Sequence, residues 1–250
     1  MSTLYPADMH VYTRHFLKTD YDLEAINQIA NKKGIDYLGL TTPIDFRTQP
    51  LKDCIRIITL QNQLIDAYNA RYASKILKGI EIYEPQNFRS ELEQLKDSVD
   101  IDYIIGSITH LLGVPITKMK NIKNIYTLYL NYILQMLECD IDIIGHIDYI
   151  LKYMQNDYLD PFLLKQVLKG IVKNKKILEI NTQNYYSHHN YLPNHEIIEL
   201  YHHIGGHRVT FGSSARQLDD IYRGIEPLQS EIERYEFDNG IMIKRKFKQL

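Results

Sequence analysis

The amino-acid sequence predicts an α/β fold arranged as one barrel-like domain, and three observations lead to this prediction. Short apolar stretches alternate with longer amphipathic stretches along the 250 residues. The apolar stretches are nearly continuous, as in IDIIGHI, which is typical of parallel strands covered on both faces. No Gly/Ser-rich linker or charge run divides the sequence, so residues 1–250 are expected to form a single domain.

Seven strands are predicted from apolar runs rich in β-branched residues. In chain order they are residues 8–12, 37–41, 77–83, 103–108, 141–147, 177–181 and 209–212. Amphipathic periodicity predicts six helices among them. These are residues 23–33, 51–74, 88–98, 122–138, 161–173 and 194–203.

Local signals support several of these boundaries. Asp160 before Pro161 forms the N-cap and first-position pair of a helix. NKKG at 31–34 and HIGG at 203–206 each place a glycine at the C-terminal end of a predicted helix. The C-terminal FDNGIMIKRKFKQL predicts a small hairpin or extension at about 235–250, turning around DNG at 238–240.

Composition excludes several classes of protein. The formal charge of -2 gives no electrostatic reason to expect nucleic acid or an anionic membrane as a partner. Cys54 and Cys139 lie outside any CxxC spacing, which argues against a disulfide framework or a structural zinc site. MSTLYPADMHVYTRHF has no apolar signal region, and no apolar run reaches the roughly 20 residues of a membrane span. We therefore expect a cytoplasmic protein.

Polar side chains recur at the same end of nearly every predicted strand. In a parallel α/β barrel, chemistry gathers at the carboxyl ends of the strands. The polar residues at these ends are Asp8, His10, Tyr12, His15, Thr41, Thr42, Glu81, Tyr83, Glu84, Ser107, Thr109, His110, His146, Asp148, Asn181, Ser213, Ser214 and Arg216. Folding alone does not require so many, so a functional site is expected there.

Six segments, in order, resemble motifs of the PHP (polymerase and histidinol phosphatase) superfamily. DMHVY resembles its Asp-x-His-x-His opening, KGIEIYE its Gly-x-Glu strand, and DYIIGSITHL its Gly-Ser-Val-His segment. DIIGHIDYILKY resembles the Gly-His-x-Asp segment, and VTFGSSAR the Gly-Ser-Asp-Ala-His motif. LEINTQNYY is similar to the Glu-x-Asn-Thr segment of the histidinol-phosphatase branch. The resemblance extends from about residue 5 to about residue 225.

This resemblance implies a distorted TIM-like (β/α)7 barrel. It also implies two or three metal ions at the carboxyl strand ends, which activate water to hydrolyse a phosphomonoester. The resemblance gives metal-ligand roles to His10, Glu81 and His146, and catalytic roles to Glu81 and His146. His110 follows Thr109, which occupies the family's histidine position, so His110 serves only if a bulge corrects the register. His15 is a substitute for a family histidine expected near residue 17 or 18.

Other family ligands are replaced. Tyr12 stands at the second histidine of the opening motif, and Pro43 at the histidine of the second strand. Ser214 and Arg216 replace the aspartate and histidine of the last motif. Arginine remains cationic and cannot ligate a metal. We therefore do not expect a full trinuclear cluster; the surviving ligands could hold one divalent ion, Zn, Mn or Fe.

Two functions remain open at this point. The first is a histidinol-phosphatase-like protein that is catalytically impaired or non-catalytic and retains a pocket for a small phosphorylated or other anionic ligand. Tyr12, Asn181, Ser213, Ser214 and Arg216 are its predicted binding residues. The alternative is an active metal-dependent phosphomonoesterase of the histidinol-phosphate type with a mono- or dinuclear site.

Structural interpretations of the same residues also stay open. His10 and His146 could be core histidines bonded to neighbouring backbone. Arg216 could pair with Glu81 or Asp8 and fill the vacated site. The tyrosines lie beside no basic stripe, so they do not indicate a nucleic-acid stacking surface.

Overall fold

The central element of the fold is a mostly parallel β-sheet. It is described here from a computed structural model, which covers residues 5–13, 20–119, 124–153, 160–183, 185 and 192–250. The strands are β1 (Ala7–Tyr12), β2 (Tyr37–Ile44), β3 (Lys75–Tyr83), β4 (Tyr103–Ser107), β5 (His110–Leu111), β6 (Val114–Pro115), β7 (Ile143–Ile144), β8 (Ile177–Asn181), β9 (Arg208–Gly212), β10 (Asp238–Ile243) and β11 (Lys246–Gln249). The helices are α1 (Asp20–Lys33), α2 (Leu51–Arg71), α3 (Arg89–Ser98), α4 (Ile125–Met136), α5 (Pro161–Lys173), α6 (His195–His203) and α7 (Ile225–Ile232).

The main sheet has the order β1-β2-β3-β4-β7-β8-β9-β10-β11, and only the last pair is antiparallel. The sheet curls so that β1 returns to the end of β9, where the Tyr12 amide donates to the Ala215 carbonyl at 3.0 Å. Val11 and Ala215 form a single parallel bridge at this seam, not a continuous ladder. The predicted α/β class, with a sheet curled as in a TIM-like barrel, is confirmed.

All seven predicted strands are present, but β7 is much shorter than the apolar run 141–147 suggests. It contains only Ile143 and Ile144. The cause is His146, whose φ of 54° lies in the left-handed region and turns the chain out of the sheet. Tyr129 supports this turn by donating its hydroxyl to the His146 carbonyl.

The predicted C-terminal turn is displaced. Residues 238–240 lie within β10, and the turn between β10 and β11 falls at Lys244 and Arg245, both with positive φ (48° and 60°). A two-residue hairpin loop needs such angles, and glycine normally supplies them. Here side-chain and backbone contacts hold the turn, because Arg245 pairs with Asp140 at 2.9 Å and the Lys244 amide donates to Asp102 at 2.9 Å.

The helix boundaries follow local chemistry. The Asp160 side chain accepts hydrogen bonds from the Phe162 and Leu163 amides at 3.1 and 3.0 Å, which confirms the N-cap of α5. Asn194 caps α6 in the same way through the Ile197 amide. Among the helices of the described ranges, none is long and apolar enough to cross a membrane. The hairpin β5–β6 and helix α7 were not predicted from the sequence.

The barrel interior is closed by a buried tyrosine. The hydroxyl of Tyr103 lies 2.8 Å from the Thr41 hydroxyl and next to Gly39, and the Tyr103 ring lies against Gly79. A Cβ at Gly39 would overlap the Tyr103 hydroxyl and the Met9 backbone, and a Cβ at Gly79 would overlap the Tyr103 ring, so these two positions require glycine. The interior is therefore filled by side chains, and open space remains at the carboxyl ends of the strands.

Candidate metal and anion site

Four buried side chains meet at the carboxyl ends of the strands. His10 comes from β1, Glu81 from β3, His146 from the turn after β7, and Glu179 from β8. His10 Nδ1 lies 2.6 Å from one Glu179 oxygen, and His10 Nε2 lies 3.8 Å from Glu81. His146 also lies 3.8 Å from both carboxylates, through Nε2 to Glu81 and Nδ1 to Glu179. Imidazoles and carboxylates therefore alternate around one centre.

Backbone irregularities place both histidines. The register between β1 and β2 shifts between Asp8 and Val11, so His10 lies on an irregular part of its strand. His146 leaves β7 through its left-handed φ. These local departures from regular strands turn the two rings toward each other, with their centroids 5.6 Å apart.

Three polar atoms of this cluster are buried without a hydrogen-bond partner among the residues the structure describes. They are His10 Nε2, His146 Nδ1 and Glu179 Oε2. An unsatisfied buried polar group costs about 1–3 kcal/mol, so such a concentration needs an explanation. His10, His146 and Glu179 can each present a ligand atom within 4.8 Å of the others. Two imidazoles and a carboxylate form a suitable donor set for a divalent ion such as zinc.

Electrostatic coupling fixes the protonation of the cluster. Burial alone would lower the pKa of His10, but the charge and hydrogen bond of Glu179, with Glu81 beside it, raise that pKa to about 10. Burial opposes ionisation of Glu81, but the neighbouring His10 and His146 hold its pKa at about 2. Burial lowers the pKa of His146. Without an ion, the cluster therefore contains a protonated His10 between two carboxylates and a neutral His146.

Polar neighbours orient both carboxylates. Ser107 and Tyr12 donate their hydroxyls to the two Glu81 oxygens at 2.7 and 3.1 Å. Asn181 donates to Glu179 at 3.0 Å and to the Ser214 hydroxyl at 2.7 Å. Asn181 and Ser214 therefore lie behind Glu179, where they hold it in place.

Asp8 ties the strand ends together beneath the site. It accepts hydrogen bonds from the Ser213 hydroxyl at 2.6 Å, the Ser213 amide at 3.0 Å and the Tyr222 amide at 2.7 Å. The Ser213 hydroxyl, predicted from the sequence to bind substrate, is thus engaged by Asp8. This contact joins β1 to the loop after β9.

His110 does not reach the cluster. It begins the β5–β6 hairpin, its Nδ1 lies 3.0 Å from the Thr109 hydroxyl, and its amide donates to Glu84 at 2.8 Å. Glu84 also accepts from Thr109 and pairs with Arg47 at 2.7 Å, so a buried carboxylate fixes this turn. The register correction that His110 would need does not occur. His15, the other predicted substitute ligand, lies outside the described residues.

A cavity of about 760 Å³ opens beside the cluster, and Glu81 and His146 form part of its wall. Aromatic and basic side chains form much of the rest. They include Tyr12, Tyr83, Tyr149, Tyr153, Lys152 and Arg216. Asn181, Ser213 and Ser214 are not on this wall.

Arg216 extends over the Tyr12 ring, with its guanidinium carbon 5.0 Å from the ring centroid. Its side chain is exposed, and it forms no ion pair with an acidic residue in the described part of the chain. The predicted pairing with Glu81 or Asp8 is therefore wrong. Asp8 is instead satisfied by Ser213 and Tyr222.

Glu179 is the cluster residue that the sequence interpretation missed. It lies two positions before Asn181 on β8, and side chains two apart on a strand face the same side. The Glu-x-Asn-Thr resemblance already contained it. The combination of that motif with strand alternation was the signal that could have identified Glu179.

Comparisons with known proteins agree with this geometry. The family model described as "PHP domain" matches residues 8–183. A protein of Clostridium acetobutylicum named "Probable histidinol-phosphatase" is 28% identical over 232 residues, covering 86% of this chain and 88% of that protein. A Thermotoga maritima protein of the same name is 36% identical over 96 residues, which are 38% of this chain and 41% of that protein.

Solved structures share the fold. Histidinol phosphate phosphatase from Lactococcus lactis, complexed with zinc, L-histidinol and phosphate, has a TM-score of 0.77 at 19% identity and covers 99% of this chain and 100% of its own. A putative histidinol phosphatase from Listeria monocytogenes has a TM-score of 0.65 at 17% identity, and the match covers 87% of this chain and 98% of that protein. At these identities the similarity shows a common fold.

Proposed function

The chain belongs to the PHP domain family, and from this premise we propose that it is a divalent-metal-dependent phosphomonoesterase of the histidinol-phosphatase type. One observation carries the proposal: unpartnered buried atoms of His10, His146 and Glu179 converge beside a 760 Å³ pocket. Such a donor set is costly to bury unless something binds it. The proposal thus favours the active alternative, with a reduced metal site.

His10, His146 and Glu179 would hold one divalent ion, with Glu81 beside them as a fourth acidic group. When bound, such an ion supplies Lewis acidity, which polarises a phosphoryl oxygen and activates water. Zinc fits the donor set, and zinc is the metal named for the Lactococcus lactis structure. Mn and Fe remain alternatives because imidazole and carboxylate ligands also accept them.

The chain's own residues position the reaction. Glu81 lines the pocket and is ionised because of its low pKa, so its carboxylate can orient the attacking water. Ser107 and Tyr12 fix that carboxylate through hydrogen bonds. His146 lines the same wall and would hold the ion together with His10 and Glu179. We assign Asn181 and Ser214 to positioning Glu179, and Ser213 to positioning Asp8.

The substrate we propose is a small phosphomonoester with a ring-bearing leaving group. Tyr83, Tyr149 and Tyr153 give the pocket an aromatic wall, which suits a planar group. The Lactococcus lactis structure contains L-histidinol and phosphate, the two products expected from such an ester. Histidinol phosphate is therefore the first substrate to test.

Hydrolysis of histidinol phosphate and of an aryl phosphate, with added Zn or Mn, tests this function. We expect turnover by the metal-loaded protein and a loss of at least about 100-fold in kcat for Glu81→Gln. The glutamine amide carries no negative charge to balance the metal ion, and it cannot orient the attacking water as the carboxylate does. Glu91→Gln, on helix α3, is the matched control and is expected to keep full activity. A folded, metal-loaded protein without turnover on either ester would contradict the proposal.

A second candidate is a non-catalytic protein that binds a small anion in the same pocket. The observation that favours it is Arg216, which occupies the position of a family histidine and faces the pocket as an unpaired cation among the described residues. This candidate predicts no turnover in the hydrolysis assay, although the protein binds phosphate in a separate binding measurement. Turnover of the two esters by the metal-loaded protein therefore distinguishes the two functions.

A further inference from the structure

The charges of the proposed site balance to zero before any substrate enters. A divalent ion would contribute two positive charges, and Glu81 and Glu179 contribute two negative charges. The ligating imidazoles must be neutral, because a metal takes the lone pair that a proton would occupy. A phosphomonoester carries about two negative charges at neutral pH. The proposed centre therefore offers this dianion no net charge attraction, and another cation must supply it.

Two cationic side chains of the described residues line the pocket, Lys152 and Arg216. Lys152 lies over the Tyr149 ring at 5.2 Å and interacts electrostatically with the buried carboxyl of Asp148. Its charge is thus partly balanced within the protein. Arg216 is exposed, always charged, and has no acidic partner in the ranges that the structure covers. Arg216 is therefore the cation that remains available to a ligand.

Tyr12 connects this cation to the metal cluster. Its ring lies under the guanidinium at 5.0 Å, and its hydroxyl donates to Glu81 at 3.1 Å. One buried side chain thus fixes the position of Arg216 relative to the carboxylate that lines the pocket. Stacking on an aromatic face also leaves the N–H groups at the guanidinium edge free to donate to a planar pair of oxygens.

We propose that Arg216, held on Tyr12, is the second cation of the site and binds two non-bridging oxygens of the phosphoryl group. The chain would then combine one divalent ion with one fixed guanidinium, and the phosphate would lie between them. This inference rests on the proposed function for the identity of its ligand. Arg216 would thus be a specificity-determining residue that recognises the doubly charged phosphoryl group. This role also explains why an arginine is compatible with a metal-binding site.

Calorimetric titration of inorganic phosphate into zinc-loaded protein tests the inference. We expect Arg216→Ala to weaken phosphate binding at least ten-fold, because it removes both the charge and the two donors. Arg216→Lys keeps the charge but not the paired N–H donors of the planar guanidinium, and is expected to bind phosphate with intermediate affinity. Arg223→Ala is the matched control: Arg223 pairs with Asp220 at 2.9 Å, lies outside the pocket wall, and should leave phosphate affinity unchanged.

Zinc content is measured on the same samples and is expected to be equal in all four proteins, since Arg216 is not a ligand. Arg216→Gln provides a second neutral variant if the alanine protein is unstable. Phosphate affinity within two-fold of wild type in the neutral variants would overturn this inference and leave the proposed function intact. A zinc-loaded wild type that binds no phosphate would overturn both.

Discussion

At the residue scale, His10 links the electrostatics of the cluster to metal binding. Its ring lies between Glu179 at 2.6 Å and Glu81 at 3.8 Å, and the two carboxylates raise its pKa to about 10. In the absence of an ion, the imidazolium supplies the positive charge that the two buried carboxylates require. An incoming ion must displace the His10 proton, so proton and metal compete for one position.

This competition predicts the pH dependence of metal binding. At pH 7, about one proton per zinc ion should be released from His10, because pH 7 lies below its raised pKa of about 10. Apparent zinc affinity should rise with pH, by up to about ten-fold per unit, while His10 remains protonated in the metal-free protein. Titration calorimetry in buffers of different ionisation enthalpy measures the number of protons released on zinc binding. A binding enthalpy independent of the buffer would contradict this account.

At the element scale, strand ends decide which residues reach the site. The sequence motifs identified His10, Glu81 and His146 correctly as neighbours, because parallel strands bring their carboxyl ends together. They could not place His110, because its register depends on Glu84, which is distant in sequence. They also could not show that Arg216 stacks on Tyr12, since that contact joins opposite ends of the chain. Local patterns carry no information on such long-range contacts.

The hairpin β10–β11 illustrates the same limit. Its turn is fixed by Asp102, which lies just before β4, and by Asp140 and Asp142, which lie just before β7, and not by the DNG at 238–240. Arg245 is the residue that joins the turn to Asp140 and Asp142. The hairpin thereby reaches from β9 to the amino-terminal side of β4 and β7, away from the metal cluster.

Arg245→Gln should therefore destabilise the fold without changing the site. The Asp142 side chain is only 9% exposed, and losing its cationic partner should lower the free energy of unfolding by about 1–3 kcal/mol. Urea denaturation measures this loss, and the zinc content should remain that of wild type. Lys246→Gln removes an exposed charge next to the turn and should change stability by less than about 0.5 kcal/mol. Equal stability of the two variants would count against the role of Arg245.

At the scale of the whole molecule, the sequence predicted the fold class and the family, and it identified part of the residue cluster at the strand ends. Alternating apolar and amphipathic stretches predicted the α/β sheet, and six motifs in order indicated its family. The missing family ligands indicated a reduced metal site. The structure adds Glu179, which restores a carboxylate to the cluster and leaves three unpartnered donor atoms facing one another. We therefore expect this chain to hold one divalent ion.

Elemental analysis of the purified protein, after zinc loading and removal of excess metal, measures whether the chain holds this ion. We predict one zinc ion per wild-type chain. The Glu179→Gln substitution removes the charge of one ligand and is expected to keep the overall fold. We predict that it lowers zinc affinity at least ten-fold and leaves the site largely empty. A wild-type chain that retains no zinc, or a Glu179→Gln chain that retains as much as wild type, would contradict the account.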